Sequence, residues 1–154
     1  MAEPRSAVET ALRALRARDR TAAELDARLT ARGAGPAERE EALELLERVG
    51  YVDDERFAHG RAAALAARGS GDALIRDDLE QRGVAAATIE SALVALEPEH
   101  VRVERIVARR GPGVKTTRYL AARGFEEDAV ASAIAALDTA APLDIAPEGD
   151  GEID

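Results

Sequence analysis

One five-residue pattern, Leu-x-x-Arg-Gly, occurs three times in this chain and constrains its fold more than any other feature. The copies end at Gly33, Gly83 and Gly124. Each Gly is followed nine residues later by Ala, and ten and thirteen residues later by Leu or Ile. Glycine ends a helix well because it adopts the left-handed conformation without Cβ strain, and the preceding Arg suits the negative end of the helix dipole. The pattern therefore predicts a repeated unit in which one helix ends at Gly and the next packs back across the turn.

Three helices are predicted for each unit, and the first unit shows the boundaries most clearly. Thr21 and Glu24 fit a capping box at the start of the second helix, while Pro36 opens the third, which should end near Gly50. The residues expected to face inward in this unit are Val8, Leu12 and Leu15 in the first helix and Leu43, Leu46 and Val49 in the third.

A single three-helix unit buries too little surface to be stable alone, and stacking neighbours makes its core continuous. The sequence therefore predicts an all-α fold of three tandem three-helix repeats, stacked into an elongated, curved solenoid. The repeats should span about 7–50, 53–96 and 98–137. They form one domain, 1–137, and residues 138–154, with six acids and no base, predict a disordered acidic tail.

Composition argues against most enzymatic chemistry. The 154 residues include no Cys and two His, His59 and His100, so thiol nucleophiles and ordinary zinc sites lack ligands. We expect no catalytic site, metal, cofactor or small-molecule substrate. No segment approaches the roughly 18 apolar residues of a membrane span, and no signal-peptide core follows Met1, so a cytoplasmic protein without membrane contact is expected.

Basic residues are concentrated in one part of an acidic chain. The formal net charge is -9, yet residues 99–123 contain seven bases and two acids. The bases are Arg102, Arg105, Arg109, Arg110, Lys115, Arg118 and Arg123. Such a patch suits DNA phosphates or the acidic side chains of a partner, with an ordinary solvated helix face as the alternative. A smaller basic face on the first helix (Arg13, Arg16 and Arg20) is interpreted as solvated surface.

A second pattern lies between the first and second units, where residues 50–58 are Gly-Tyr-Val-Asp-Asp-Glu-Arg-Phe-Ala. Asp53 is predicted to cap a helix, Asp54 to lie in its positive first turn and Phe57 to pack inward. Adjacent carboxylates at a helix start point in different directions, and no further ligand stands beside them. We therefore interpret Asp53 and Asp54 as structural rather than metal-binding.

This segment resembles the signature of the RecX family of recombinase regulators. Members carry Gly, an aromatic or apolar residue, Ile, Leu or Val, and then Asp-Asp-x-x-Phe-Ala between their first and second three-helix repeats. The resemblance runs over about residues 7–137. It includes residues 20–25 (Arg-Thr-Ala-Ala-Glu-Leu) in the first repeat, Arg82-Gly83-Val84 in the second, and Tyr119-Leu120 with Arg123-Gly124-Phe125 in the third. The signature residues, to which we assign structural roles, are Asp53, Asp54, Phe57, Ala58, Gly33, Gly83 and Gly124.

The resemblance implies a function that composition alone does not. RecX proteins bind RecA, the bacterial strand-exchange recombinase, lie in the groove of its nucleoprotein filament, and inhibit ATP hydrolysis and strand exchange without a catalytic site of their own. It implies a monomeric regulator of recombination, DNA repair and the SOS response. The seven bases of residues 99–123 are then candidate contacts to RecA or to DNA phosphates within the filament.

Two other functions stay open on the residues alone. One is non-specific DNA binding, which would need no RecA and would weaken steeply with salt. The other is a helical adaptor with an unrelated protein partner. A sequence-specific helix-turn-helix protein is disfavoured, because the chain has no Asn and one Gln, Gln81, to read base edges.

Overall fold

The computed structural model describes residues 6–140, which form nine helices and no strand. The helices are α1 Ala7–Ala17, α2 Ala22–Ala31, α3 Pro36–Arg48, α4 Asp54–Ala67, α5 Asp72–Gln81, α6 Ala86–Val94, α7 Glu99–Arg110, α8 Val114–Ala122 and α9 Glu127–Thr139. Each successive trio encloses a core of its own, so the prediction that stacking makes the core continuous is wrong. The predicted all-α fold of three three-helix repeats is confirmed; we call these trios repeats 1, 2 and 3.

The middle helix of every repeat ends in the same way. Gly33, Gly83 and Gly124 have φ values of +86°, +75° and +82°. The amide of the residue after each Gly donates a hydrogen bond of 3.1 Å to the carbonyl of the motif Leu, which closes a Schellman turn. The Leu side chains themselves are buried. The motif therefore ends a helix and contributes to the core with one set of residues.

Helix starts also follow the local sequence. The Thr21 hydroxyl accepts a hydrogen bond from the Glu24 amide at 3.1 Å, and the Glu24 carboxylate accepts one from the Thr21 amide at 3.3 Å, so the predicted capping box is present. Pro36 is the first residue of α3, where its missing N–H has no helical partner to lose.

The large apolar residues predicted to face inward in α1 and α3 lie in the core of repeat 1 or pack against it, and only Val49 does not. Ala7, Ala11 and Ala14 are the buried residues of α1, and the larger apolar residues flank them half-buried. In α3, Leu46 is buried and Leu43 half-buried. Alanine allows the helices to approach closely, which a pattern based on large residues does not reveal.

Val49, predicted to face inward, is 54% exposed. It follows the last residue of α3, and the chain then turns so that the amide of Val52 donates to the carbonyl of Leu46. Val52 is buried in the core of repeat 1 and takes the inward position that was predicted for Val49.

The third repeat extends slightly further than predicted. Helix α9 continues to Thr139, so Asp138 belongs to the helix rather than to the acidic tail. The rest of that predicted tail, residues 141–154, lies outside the described residues. Among the residues that are described, no helix is both long and apolar enough to cross a membrane.

The repeats meet through the Arg-Gly turns. The Thr21 hydroxyl at the start of α2 donates to the carbonyl of Arg82 at 2.6 Å, and the Gly71 amide at the start of α5 donates to the carbonyl of Arg123 at 2.7 Å. A Cβ added to Gly83 would lie 2.4 Å from the Cβ of Ala23. The turn that ends the middle helix of one repeat therefore docks against the start of the middle helix in the preceding repeat.

Candidate partner-binding surface

The seven bases predicted as contact residues do not form one surface. Arg102 is the clearest correction, because it is 7% exposed and therefore unavailable to a partner. Its guanidinium donates to the carbonyls of Ser70 at 2.9 Å and Glu97 at 3.0 Å and forms an ion pair with Asp72. It also lies over the ring of Phe125, 5.8 Å from the centroid. Arg102 joins repeat 3 to repeat 2.

Arg123 is engaged at the same junction. Its guanidinium donates to the carbonyl of Arg68 at 2.8 Å and lies 5.5 Å from the ring centroid of Tyr119. Its own carbonyl accepts from Gly71. A half-buried side chain with these partners stabilises the contact between repeats, so its assignment as a partner contact is also corrected.

Five of the seven bases are exposed, and four of them lie around one turn. Arg109 and Arg110 end α7, the turn Gly111-Pro112-Gly113 follows, and Lys115 and Arg118 lie in the first two turns of α8. We call Arg109, Arg110, Lys115 and Arg118 the basic corner. The fifth base, Arg105, is ion-paired with Glu97 on the surface.

The basic corner is open to an anion. Within residues 6–140, none of its four side chains forms an ion pair. Arg110 stacks on Tyr119 with its guanidinium carbon 3.9 Å from the ring centroid, a contact that fixes the side chain while leaving its charge uncompensated. A phosphate or carboxylate can bind here without breaking an existing ion pair, which is not true at Arg105.

Four of the signature residues, Asp53, Asp54, Phe57 and Ala58, lie where repeat 2 begins. Asp53 is the N-cap of α4 and accepts from the Arg56 amide at 3.0 Å. Asp54 accepts from the Ala22 amide at 2.9 Å and so caps α2 of the preceding repeat. Phe57 is half-buried beneath the guanidinium of Arg82, and Ala58 is fully buried.

Local sequence does not reveal this role of Asp54, because its partner lies 32 residues earlier. The next junction repeats the arrangement: Glu99, first residue of α7, accepts from the Asp72 amide at 2.8 Å. A carboxylate that opens one repeat therefore caps the middle helix of the repeat before it. This recurrence accounts for Asp54 without a metal, and residues 6–140 contain no cluster of three or more metal-ligating side chains.

Together, the three-helix units and the junctions between them define a helical-repeat protein, whose basic corner forms no ion pair within residues 6–140. A family model described as RecX, second three-helix domain, matches residues 53–93, which comprise most of repeat 2. The regulatory protein RecX of Halorhodospira halophila is 36% identical over 140 residues, covering 84% of this chain and 87% of the relative. The chain belongs to the RecX family of regulatory proteins.

Other relatives agree. The regulatory protein RecX of Deinococcus radiodurans is 34% identical over 148 residues, covering 90% of this chain and 71% of the relative. The crystal structure of RecX from Lactobacillus salivarius superposes with a TM-score of 0.72 at 19% identity, covering 86% of this chain and 95% of that one. The structural match shows that the three-repeat fold is shared.

Proposed function

We propose that this protein binds the RecA nucleoprotein filament in the cytoplasm, as a monomer, and inhibits its ATP hydrolysis and strand exchange. It thereby regulates recombination, DNA repair and the SOS response. The observation that carries the proposal is membership of the RecX family across most of the chain. The basic corner supports it, since a RecA filament presents DNA phosphates and protein carboxylates in one groove.

The physical basis of inhibition is binding rather than chemistry. Three repeats joined by buried contacts such as Arg102 form a continuous scaffold that can bridge neighbouring filament subunits. A ligand that binds one filament conformation more tightly than another shifts the filament toward that conformation. Inhibition at amounts below one protein per RecA subunit is the expected result.

The basic corner supplies the electrostatic part of the contact. If its four cations each neutralise one phosphate, the logarithm of the binding constant falls with the logarithm of salt concentration with a slope of about −3 on single-stranded DNA. Reversing two of the charges reduces both the affinity and that slope. The helices themselves do not depend on these side chains, which are exposed.

The test is DNA-dependent ATP hydrolysis by RecA with sub-stoichiometric protein. We expect the wild type to inhibit, and R109E/R118E to require about tenfold more protein for equal inhibition, since two attractive contacts become repulsive. The matched control is R13E/R16E, which reverses two exposed arginines on α1 and should inhibit like wild type. Absence of inhibition by the wild type would refute the function, and full inhibition by R109E/R118E would refute the assignment of the corner.

The unpaired corner also favours a second candidate, non-specific DNA binding. That function predicts tight binding to free DNA without RecA, with the same salt slope. Measuring DNA binding in parallel separates the two, because a filament regulator inhibits RecA at concentrations where free DNA is scarcely bound. A helical adaptor with an unrelated partner would show neither activity.

A further inference from the structure

Repeat 3 carries a groove between α8 and α9 that we call the α8–α9 groove. It consists of two adjoining cavities of about 300 and 370 Å³. Its floor is mainly apolar, with Ala121, Phe125, Val130 and Ile134, and two acids, Glu127 and Asp138, also line it. Among residues 6–140, repeat 3 is the last of the three units along the chain.

The other repeats close this position with an ion pair. In repeat 1, Arg39 of α3 bonds Asp26 of α2 at 2.9 Å, and in repeat 2, Arg76 of α5 bonds Glu90 of α6 at 2.9 Å. Counted from the motif Gly, Asp26 and Arg76 correspond to Thr117 of repeat 3.

The partner positions are also changed in repeat 3. Arg39 corresponds to Val130, and Glu90 corresponds to Ala131. Repeat 3 therefore has a threonine, a valine and an alanine where each of the other repeats forms one ion pair, and the crevice between α8 and α9 is open. An apolar groove at this one place in the repeat is suited to receive apolar side chains.

We propose that the α8–α9 groove binds the segment of this chain that follows α9, residues 141–154. The segment contains Leu143 and Ile145, which can supply the apolar contact, and five acids with no base. Its start is close to the groove: Asp138, which lines one end of the cavity, is the penultimate residue of α9.

The reach of this segment fits the distance to the groove. Ile134 and Thr139 are separated by about 8 Å along α9, at 1.5 Å per residue. Four to six extended residues span about 13–20 Å, enough to bring Leu143 and Ile145 back over the groove. Because Glu127 and Asp138 line the groove, the acids of the segment would lie outside it, on the side of α8 that carries the exposed cations Lys115 and Arg118.

The consequence is competition for the basic corner, and this consequence rests on the proposed function of that corner. An anionic partner must displace the segment before it can use Arg118 and its neighbours. With a short tether the effective concentration is on the order of 1 mM. A segment that binds with a dissociation constant of about 0.2 mM would then weaken binding of a polyanion about sixfold.

The first experiment tests docking alone. A fluorescent peptide of residues 141–154 is titrated with the chain ending at Ala140, which retains all three cores. We expect a submillimolar dissociation constant. T117R/A131E, which rebuilds the repeat 2 ion pair at unchanged net charge, should abolish binding, and so should L143S/I145S in the peptide. Binding that survives either change, or no binding at 2 mM peptide, would overturn the proposal.

The second experiment tests masking in the full chain, with single-stranded DNA as the polyanion and no RecA. L143S/I145S and T117R/A131E should each bind DNA about sixfold more tightly than wild type, although neither alters net charge. If removing residues 141–154 tightens binding but these variants do not, long-range charge is responsible and masking is refuted. Because RecA is absent, these results are independent of whether the protein inhibits the recombinase. Concentration-dependent dimers that T117R/A131E abolishes would instead assign the groove to a second copy.

Discussion

Replacing Arg102 tests whether buried arginine joins the repeats. R102M keeps most of the length of the side chain and removes its charge and donors. The carbonyls of Ser70 and Glu97 lose hydrogen bonds of 2.9 and 3.0 Å, and Asp72 loses its cation. The remaining partners stay close to the apolar core that Phe125 contributes to repeat 3.

The magnitude follows from how much of this site water can reach. The Arg102 side chain is 8% exposed, so solvent cannot replace its contacts to the two carbonyls. Charge-assisted hydrogen bonds contribute about 1.5–3 kcal/mol each, and removing one partner of a buried ion pair costs about 3–5 kcal/mol. The Asp72 side chain is 28% exposed and regains some hydration, which places the expected loss near 3 kcal/mol.

Urea and thermal unfolding followed by circular dichroism measure this loss. At about 4 °C per kcal/mol for a chain of this size, R102M should lower the melting temperature by about 12 °C. The control is R109M on the same helix, where the side chain is exposed and the free energy of unfolding should change by less than about 0.5 kcal/mol. Equal stability of the two variants would refute the assignment of Arg102 to the junction and return it to the surface contacts.

Two further outcomes test the packing of repeats 1 and 2. G83A should lower the free energy of unfolding by about 3 kcal/mol or more, because strain at φ +75° adds to a Cβ clash with Ala23. G33A, at φ +86° with no atom near its Cβ, should lower it by about 1 kcal/mol. Equal losses in urea unfolding would contradict a close approach between Gly83 and Ala23. The hydrogen bond from Arg61 lowers the pKa of Asp78, so the stability that this carboxylate supplies is present above its unfolded pKa and is lost as pH falls below about 4. D78N should therefore flatten the dependence of the free energy of unfolding on pH in that range. An unchanged pH dependence would contradict the contribution of this ion pair.

Local signals in the sequence were sufficient for the architecture. The capping box at Thr21 and the glycine after each Leu-x-x-Arg involve residues within a few positions of one another, and their hydrogen bonds form as the pattern predicts. Each signal has one dominant physical solution, because a helix end must satisfy its free amides and carbonyls. Nine helices in three units follow from such signals.

The long-range contacts could not be predicted in the same way. Asp54 and Ala22 are 32 residues apart, and Arg102 and Ser70 are also 32 apart. An arginine at a surface-like position in a helical pattern looks the same whether it faces solvent or a neighbouring repeat. The seven bases therefore appeared equivalent in the sequence, although the fold uses two of them internally and pairs a third.

The distinction between arginines that form ion pairs and those that form none within residues 6–140 explains how a chain of net charge -9 can carry a local cluster of exposed cations. Many of its arginines are used within the fold: Arg18, Arg39, Arg61, Arg76, Arg82, Arg102 and Arg105 all form ion pairs. Exposed acids elsewhere set the net charge without cancelling a local cluster, since screening limits their influence to about 10 Å at 0.1 M salt. The local charge at the α7–α8 turn is therefore set by the four cations Arg109, Arg110, Lys115 and Arg118, together with any acidic group that binds them. Net charge predicts the solubility of this protein better than it predicts its partner.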